Sequence, residues 1–167
     1  AIVLERVTGR VFHEVVHDLV LVPAGLVDTG FPRTDELDGN HARGYVFDDG
    51  LRVNTLHLPV RANGDGGAST TAADVHRFWR AFFAGRIVSP ETVALMTAPR
   101  SFVEDEEMRY GLGFWLNETG PGVVLEGCDV GSSFRSVHHP PTATTATVMS
   151  NTADGAWPVA RVLADAM

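Results

Sequence analysis

Lysine is absent from these 167 residues, and all thirteen positive charges are arginine. That excludes Schiff-base catalysis, a P-loop lysine and the Ser-x-x-Lys pairing of a hydroxyl with its base, because each needs a titratable amine. Arginine stays protonated and cannot take that place. The single cysteine, Cys128, rules out an internal disulfide and favours a reducing compartment such as the cytoplasm. No apolar run approaches the roughly 20 residues needed to cross a bilayer, so no membrane span is expected. Basic clusters are missing as well. The formal net charge is −8 at pH 7 with the arginines scattered, which excludes nucleic acid as a partner.

What is present is a chain with 44% apolar residues, enough to bury a core. Its opening, Ala1-Ile2-Val3-Leu4-Glu5-Arg6-Val7, reads as the middle of an amphipathic helix without a capping residue before it. The chain is therefore expected to begin partway through a larger fold, and the lack of a visible signal peptide leaves localisation open.

Thr8-Gly9 punctuates, after which Phe12, Val15, Val16 and Leu19 recur at helical spacing; this predicts a one-faced helix that Pro23-Ala24-Gly25 ends. Residues 32–67, rich in Gly, Asp, Asn and Pro, read as loops with at most short strands. Thr71-Ala72-Ala73-Asp74 resembles a capping box and opens a helix whose Val75, Phe78, Trp79, Phe82 and Phe83 form an aromatic stripe, closed by Gly85. Ser89-Pro90-Glu91 starts a second, shorter helix carrying Val93 to Met96.

From Tyr110 the period becomes extended, with strands expected at 110–117, 123–127, 133–139 and 143–150, antiparallel because their connections are short. A terminal helix over Trp157 to Met167, with Val159, Val162, Leu163 and Ala166 on one face, should lie on that sheet. The expected fold is α/β of the α+β kind: residues 1–108 as part of a helical subdomain, and 109–167 as an antiparallel sheet packed against the terminal helix.

His13-Glu14-Val15-Val16-His17 is a literal H-E-x-x-H, and Glu36 follows at a spacing that suits a third ligand of a zinc metallopeptidase. At about 100° per residue both imidazoles fall well over 90° from the centre of the helix's apolar face, so they read as surface histidines rather than ligands. His138-His139 before Pro140-Pro141 reads as a hairpin tip. Asp65 and Asp74 read as a turn residue and a helix cap, and Gly64-x-Gly66-Gly67 follows no strand that would make it a phosphate loop.

Four segments together resemble the class C-like branch of the serine β-lactamase, penicillin-binding protein and esterase superfamily. Val22-Pro23-Ala24-Gly25-Leu26-Val27-Asp28-Thr29-Gly30-Phe31 is similar to its PLGM-x-x-T-x-F stretch, and Gly66 to Asp74 to its GG-x-x-S-T-A-x-D helix entry. Tyr110-Gly111-Leu112-Gly113-Phe114-Trp115 resembles its YGLGW strand, and Ser133-Phe134-Arg135-Ser136 its G-F-x-S strand. The matches keep the family's order across nearly the whole chain.

The resemblance implies hydrolysis of an ester, amide or lactam through a serine acyl-enzyme, acting on a small-molecule acyl substrate without a cofactor. The family's Ser-x-x-Lys and Tyr-x-Asn motifs precede anything found here and neither occurs in this chain, so it is expected to be the C-terminal part of such a hydrolase, inactive alone and completed by an N-terminal segment. A non-catalytic binding module of the same family is the alternative. The third motif, Lys-Thr-Gly or His-x-Gly, falls on Cys128-Asp129-Val130-Gly131, which lacks the cation and favours an esterase-like or degenerate relative. The resemblance makes the Gly131 backbone N–H a candidate oxyanion donor. Cys128, Asp129, Val130 and Asn151 become candidate substrate-binding residues, with Cys128 reading equally as a buried strand thiol. A sheet edge left uncovered by the absent segment predicts self-association.

Overall fold

The computed structural model describes residues 1–47, 49–50 and 52–164. From Ser101 onward the chain folds back on itself repeatedly: β1 (Ser101–Val103), β2 (Met108–Tyr110), β3 (Trp115–Leu116), β4 (Val123–Asp129), β5 (Ser132–His139) and β6 (Thr144–Ser150). They form one sheet in the order β1-β2-β3-β4-β5-β6, every neighbour antiparallel. Connections too short for a crossover allow nothing else.

The stretch expected as a single strand over 110–117 is a turn flanked by two strands. Tyr110 pairs with Trp115, and Gly111 N–H donates to the Phe114 carbonyl at 2.8 Å. The glycines compel this: Gly113 has φ +86°, and a Cβ on Gly111 would collide with the Met96 carbonyl. The turn drops Phe114 into the core. Strand β1, three residues long, carries too little pattern for the sequence to announce it.

Among the described residues six α-helices flank the sheet or precede it: α1 (Ile2–Thr8), α2 (Phe12–Val16), α3 (Val22–Ala24), α4 (Ala72–Phe83), α5 (Pro90–Met96) and α6 (Ala156–Ala164). The expected capping holds. Thr71 Oγ1 accepts from Asp74 N–H at 3.2 Å and Ser89 Oγ from Thr92 N–H at 3.3 Å. Gly25 (φ +69°) and Gly85 (φ +71°) close α3 and α4, each with the N–H of the following residue reaching back five residues to a helix carbonyl, Leu26 to Leu21 and Arg86 to Ala81.

The helix predicted from residue 12 departs from regular spacing. A π-helical turn, His17–Leu21, joins α2 to α3. Pro23 has no N–H to return to Leu19 and its ring presses on that carbonyl, so the turn before it opens. The widened turn shifts the buried face, leaving Leu19 56% exposed and Leu21 only 7%.

Side chains alternate along β5 as a pleated strand requires. Phe134, Ser136 and His138 face α4, whose Val75, Trp79 and Phe82 make the core with Val93, Phe114, Leu116 and Val123. Arg135, Val137 and His139 face the other way, where they and α6 enclose a cavity of about 70 Å³. His138 is thus not a hairpin tip. It is 3% exposed and stacked on Trp79 and Phe83 at 5.5 and 4.7 Å between ring centroids, with Nδ1 2.8 Å from Thr145 Oγ1. The tip lies beyond it, at 140–143.

Helix α6 does lie on the sheet, but through Ala156 and Ala160, whose small side chains allow close approach. Val159 and Val162, expected on that face, are 50% and 69% exposed. Ala166 and Met167 of the predicted terminal helix fall outside the described residues. Among the described residues no helix is long and apolar enough to cross a membrane.

Candidate active site at the β4–β5 turn

Strands β4 and β5 meet in a two-residue turn, with Asp129 paired to Ser132 across Val130-Gly131. Gly131 has φ +73° while Val130 is not among the positive-φ residues, the pattern of a turn that needs glycine at its second central position. The Asp129 carboxylate fastens the entry by accepting from Val130 N–H at 2.6 Å. Gly131 is buried as a residue, and among the described residues nothing accepts a hydrogen bond from its N–H. A turn N–H with no protein acceptor is left free to meet a ligand or solvent.

Burial of this turn comes from Gly44, Tyr45 and Asn54, in a region that sequence reasoning left as loops. A Cβ added to Gly131 would lie 2.9 Å from Tyr45 N and 3.0 Å from Asn54 Cβ. Asn54 is buried, and its Nδ2 donates to the Val130 carbonyl at 2.9 Å. Its backbone N–H donates to the Gly44 carbonyl at 2.9 Å, and its own carbonyl accepts from His57 N–H at 2.7 Å. Gly44 faces Asn54 Nδ2 and the Gly131 carbonyl so closely that no side chain fits there. Neither Asn54 nor Gly44 stood out in the sequence, because a loop contact across 76 residues leaves no periodicity.

The expected site residues fall at one end of the sheet. Asn151 lies just past β6: its Nδ2 donates to the Arg43 carbonyl at 3.0 Å, and its carbonyl accepts from Tyr45 N–H at 2.9 Å. Tyr45 therefore bridges Asn151 and Gly131. Cys128 is exposed, with Sγ 3.4 Å from the Ala153 carbonyl, so the buried-thiol reading falls. Ser133 ties the base of the turn to α6, donating to the Thr152 carbonyl at 2.8 Å and accepting from Ala156 N–H at 3.0 Å.

Two of the resembling segments also meet. Asp74, fully buried, accepts from Asp28 N–H at 2.8 Å and Thr29 Oγ1 at 2.7 Å and pairs with Arg77. Burial alone would raise its pKa, but the bonds from Thr29, Arg77 and Asp28 outweigh it and hold the carboxyl below its ordinary value. Asp74 is thus a clamp between α4 and the segment after α3, more than a helix cap. Asp65 sits in a turn, its N–H bonded to Asn63 Oδ1 at 3.2 Å.

The H-E-x-x-H histidines are separated in role. His13 is half-buried against Phe12 and Phe31, with Nε2 2.8 Å from the Ala62 carbonyl, not turned to solvent as the wheel geometry suggested. His17 is exposed beside Asp18 at 2.9 Å, and Glu36 pairs with Arg33 at 3.4 Å. Among the described residues no group of three or more His, Cys, Asp or Glu is arranged to hold a metal ion.

The beta-lactamase family model matches residues 1–164. Protein Rv1367c of Mycobacterium tuberculosis (strain ATCC 25618 / H37Rv) is 31% identical over 131 residues, covering 69% of this chain and 32% of that protein. The putative penicillin-binding protein PbpX of Bacillus subtilis (strain 168) is 26% identical over 141 residues, covering 80% of this chain and 34% of that one. The crystal structure of a penicillin binding protein from Bacillus halodurans superposes with a TM-score of 0.90 at 29% identity, over 99% of this chain and 52% of that chain. This chain thus spans about a third of the length of those two relatives and about half of that structure.

Proposed function

This chain belongs to the beta-lactamase family, and from that premise we propose that it forms the oxyanion-binding wall of a serine hydrolase whose nucleophile and amine base lie outside these 167 residues. The observation that carries the reading is the Gly131 N–H, which has no acceptor among the described residues and sits in a turn that requires glycine, where the resemblance puts the family's third motif. When a serine hydroxyl attacks an acyl carbonyl, the new C–O bond pushes the carbonyl π electrons onto oxygen while the hydroxyl proton passes to the amine. A fixed backbone donor aimed at that oxygen stabilises the charge as it develops and needs no side-chain chemistry of its own.

The wall also bears on substrate. Where the family motif places a cation, this chain offers Cys128, Val130 and the acidic Asp129. An acyl substrate with a free carboxylate beside the scissile bond finds no counter-charge there, whereas a neutral ester or amide loses nothing. The penicillin binding named for PbpX and for the Bacillus halodurans protein is accordingly the less favoured chemistry here, and a simple ester the more favoured. Cys128, Val130 and Asn151 line the approach in this reading.

The test is hydrolysis of a p-nitrophenyl ester by this chain and by the longer polypeptide that contains it. Turnover by the longer polypeptide alone supports the reading. Turnover by the chain by itself, or by neither, sinks it, the latter outcome favouring a binding module.

Strand β6 is an edge of the sheet, and Val159 and Val162 stand exposed on α6 beside it. We propose that a further strand, from the same polypeptide or a second copy, pairs with this edge. Light scattering showing this chain monomeric at high concentration would argue against it.

A further inference from the structure

We infer that Asn54 is a positioning residue for the oxyanion donor: by gripping the Val130 carbonyl it sets the plane of the Val130–Gly131 peptide and so fixes the direction of the Gly131 N–H. This rests on the reading of Gly131 given above and adds the element that aims it. The Val130 carbonyl and the Gly131 N–H are two ends of one peptide unit, which is trans. In a trans peptide these bonds point in opposite directions across a rigid plane. Holding the oxygen towards Asn54 at 2.9 Å therefore turns the hydrogen away from Asn54.

The grip is needed because this peptide is the hinge of the turn. The two common turn types differ by inversion of the central peptide, and glycine at the second central position tolerates either orientation. Flanking strands fix where the turn is but not which way its central peptide faces. Asn54 makes that choice, and it is itself held in place: buried, bonded through its backbone N–H to Gly44 and through its carbonyl to His57, with its amide seated where Gly44 leaves room. A donor held before reaction costs no reorganisation when the oxyanion forms.

Two substitutions test this. Asn54→Ala removes the grip; Asn54→Asp keeps the size and sets a carboxylate oxygen against the carbonyl. In this chain labelled with ¹⁵N-glycine, the residual dipolar coupling of the Gly131 amide should change in both variants while that of Gly127, in strand β4, stays put. In the longer polypeptide, kcat for the p-nitrophenyl ester should fall about tenfold to hundredfold with KM little changed, the mark of an interaction made in the transition state.

A pH profile separates positioning from general loss of structure. Below its pKa the carboxyl introduced by Asn54→Asp regains an O–H that donates to Val130, so the ratio of its kcat to wild type should rise as pH falls, whereas that of Asn54→Ala should stay flat. An unchanged Gly131 coupling in folded variants, or kcat within twofold of wild type, overturns the inference while leaving the proposed reaction intact. A wild-type longer polypeptide with no esterase activity and no acylation overturns the proposed reaction instead, and this inference with it.

Discussion

The indole N–H of Trp79 donates to Ser136 Oγ at 2.8 Å, joining the aromatic stripe of α4 to the middle of β5 where neither side chain meets water. Ser136 in turn shares a hydroxyl contact of 2.8 Å with Thr147 on β6. Ser136→Ala leaves both partners short of a bond, and the stranded indole donor carries the larger penalty. The expected loss is about 1–3 kcal/mol, read by urea unfolding. Adding Trp79→Phe should cost less in that background than in wild type, because the donor has gone.

Asp74 predicts the acid limb. Its carboxyl is held below the ordinary value of 3.8, so the unfolded chain binds a proton before the folded one does. The contribution is full above that ordinary value and is lost as pH falls through the lower folded-state pKa. Melting temperature against pH should steepen there in wild type. Asp74→Asn, which loses charge-assisted bonds to Thr29, Arg77 and Asp28, should be less stable at neutral pH and flatter in that window.

His138 governs a higher window. Burial lowers its pKa from 6.5, and nearby His76 and His139 add to the shift, so charging is favoured in the unfolded chain first. Stability is fully present above 6.5 and declines as pH falls from there towards the lowered folded-state value. His138→Phe keeps the stack on Trp79 and Phe83 and should remove most of that dependence, measured by chemical denaturation between neutral and mildly acid pH.

Gly44→Ala should act through Asn54. The added methyl occupies the space of Asn54 Nδ2 and the Gly131 carbonyl, so the grip on Val130 is displaced. The ester kcat of the longer polypeptide should fall at least to the level of Asn54→Ala, and the double variant should fall by less than the product of the two single losses, since the grip on Val130 is common to both.

How far the sequence announced this architecture depends on how local each signal is. The stripe Val75, Phe78, Trp79, Phe82, Phe83 and the caps at Thr71 and Ser89 are written within single helices, and they appear as expected. Strands β4 to β6 and their antiparallel pairing were equally legible. The misreadings share a cause: one local feature overrode the period. Pro23 opened a π turn that exchanged Leu19 for Leu21, and Gly111 and Gly113 bent a supposed strand into a turn. Paired alanines carried α6 onto the sheet and left Val159 and Val162 outside.

At the site, Cys128 to Gly131 and Asn151 could be named because the resemblance suggested where the motif falls, and Gly131 and Asn151 meet at Tyr45. Asn54 could not be named. Its meaning lies in one contact between a patternless loop and a turn far along the chain.

The central claim is that these residues supply a wall for acyl transfer and no nucleophile. It is tested most directly by incubating the longer polypeptide proposed to contain this chain with a fluorophosphonate and mapping the modified residue by mass spectrometry. The label is predicted on one serine outside residues 1–167, with this chain by itself unmodified. Covalent label on any of its own serines, such as Ser132 or Ser133 at the turn, would contradict the account.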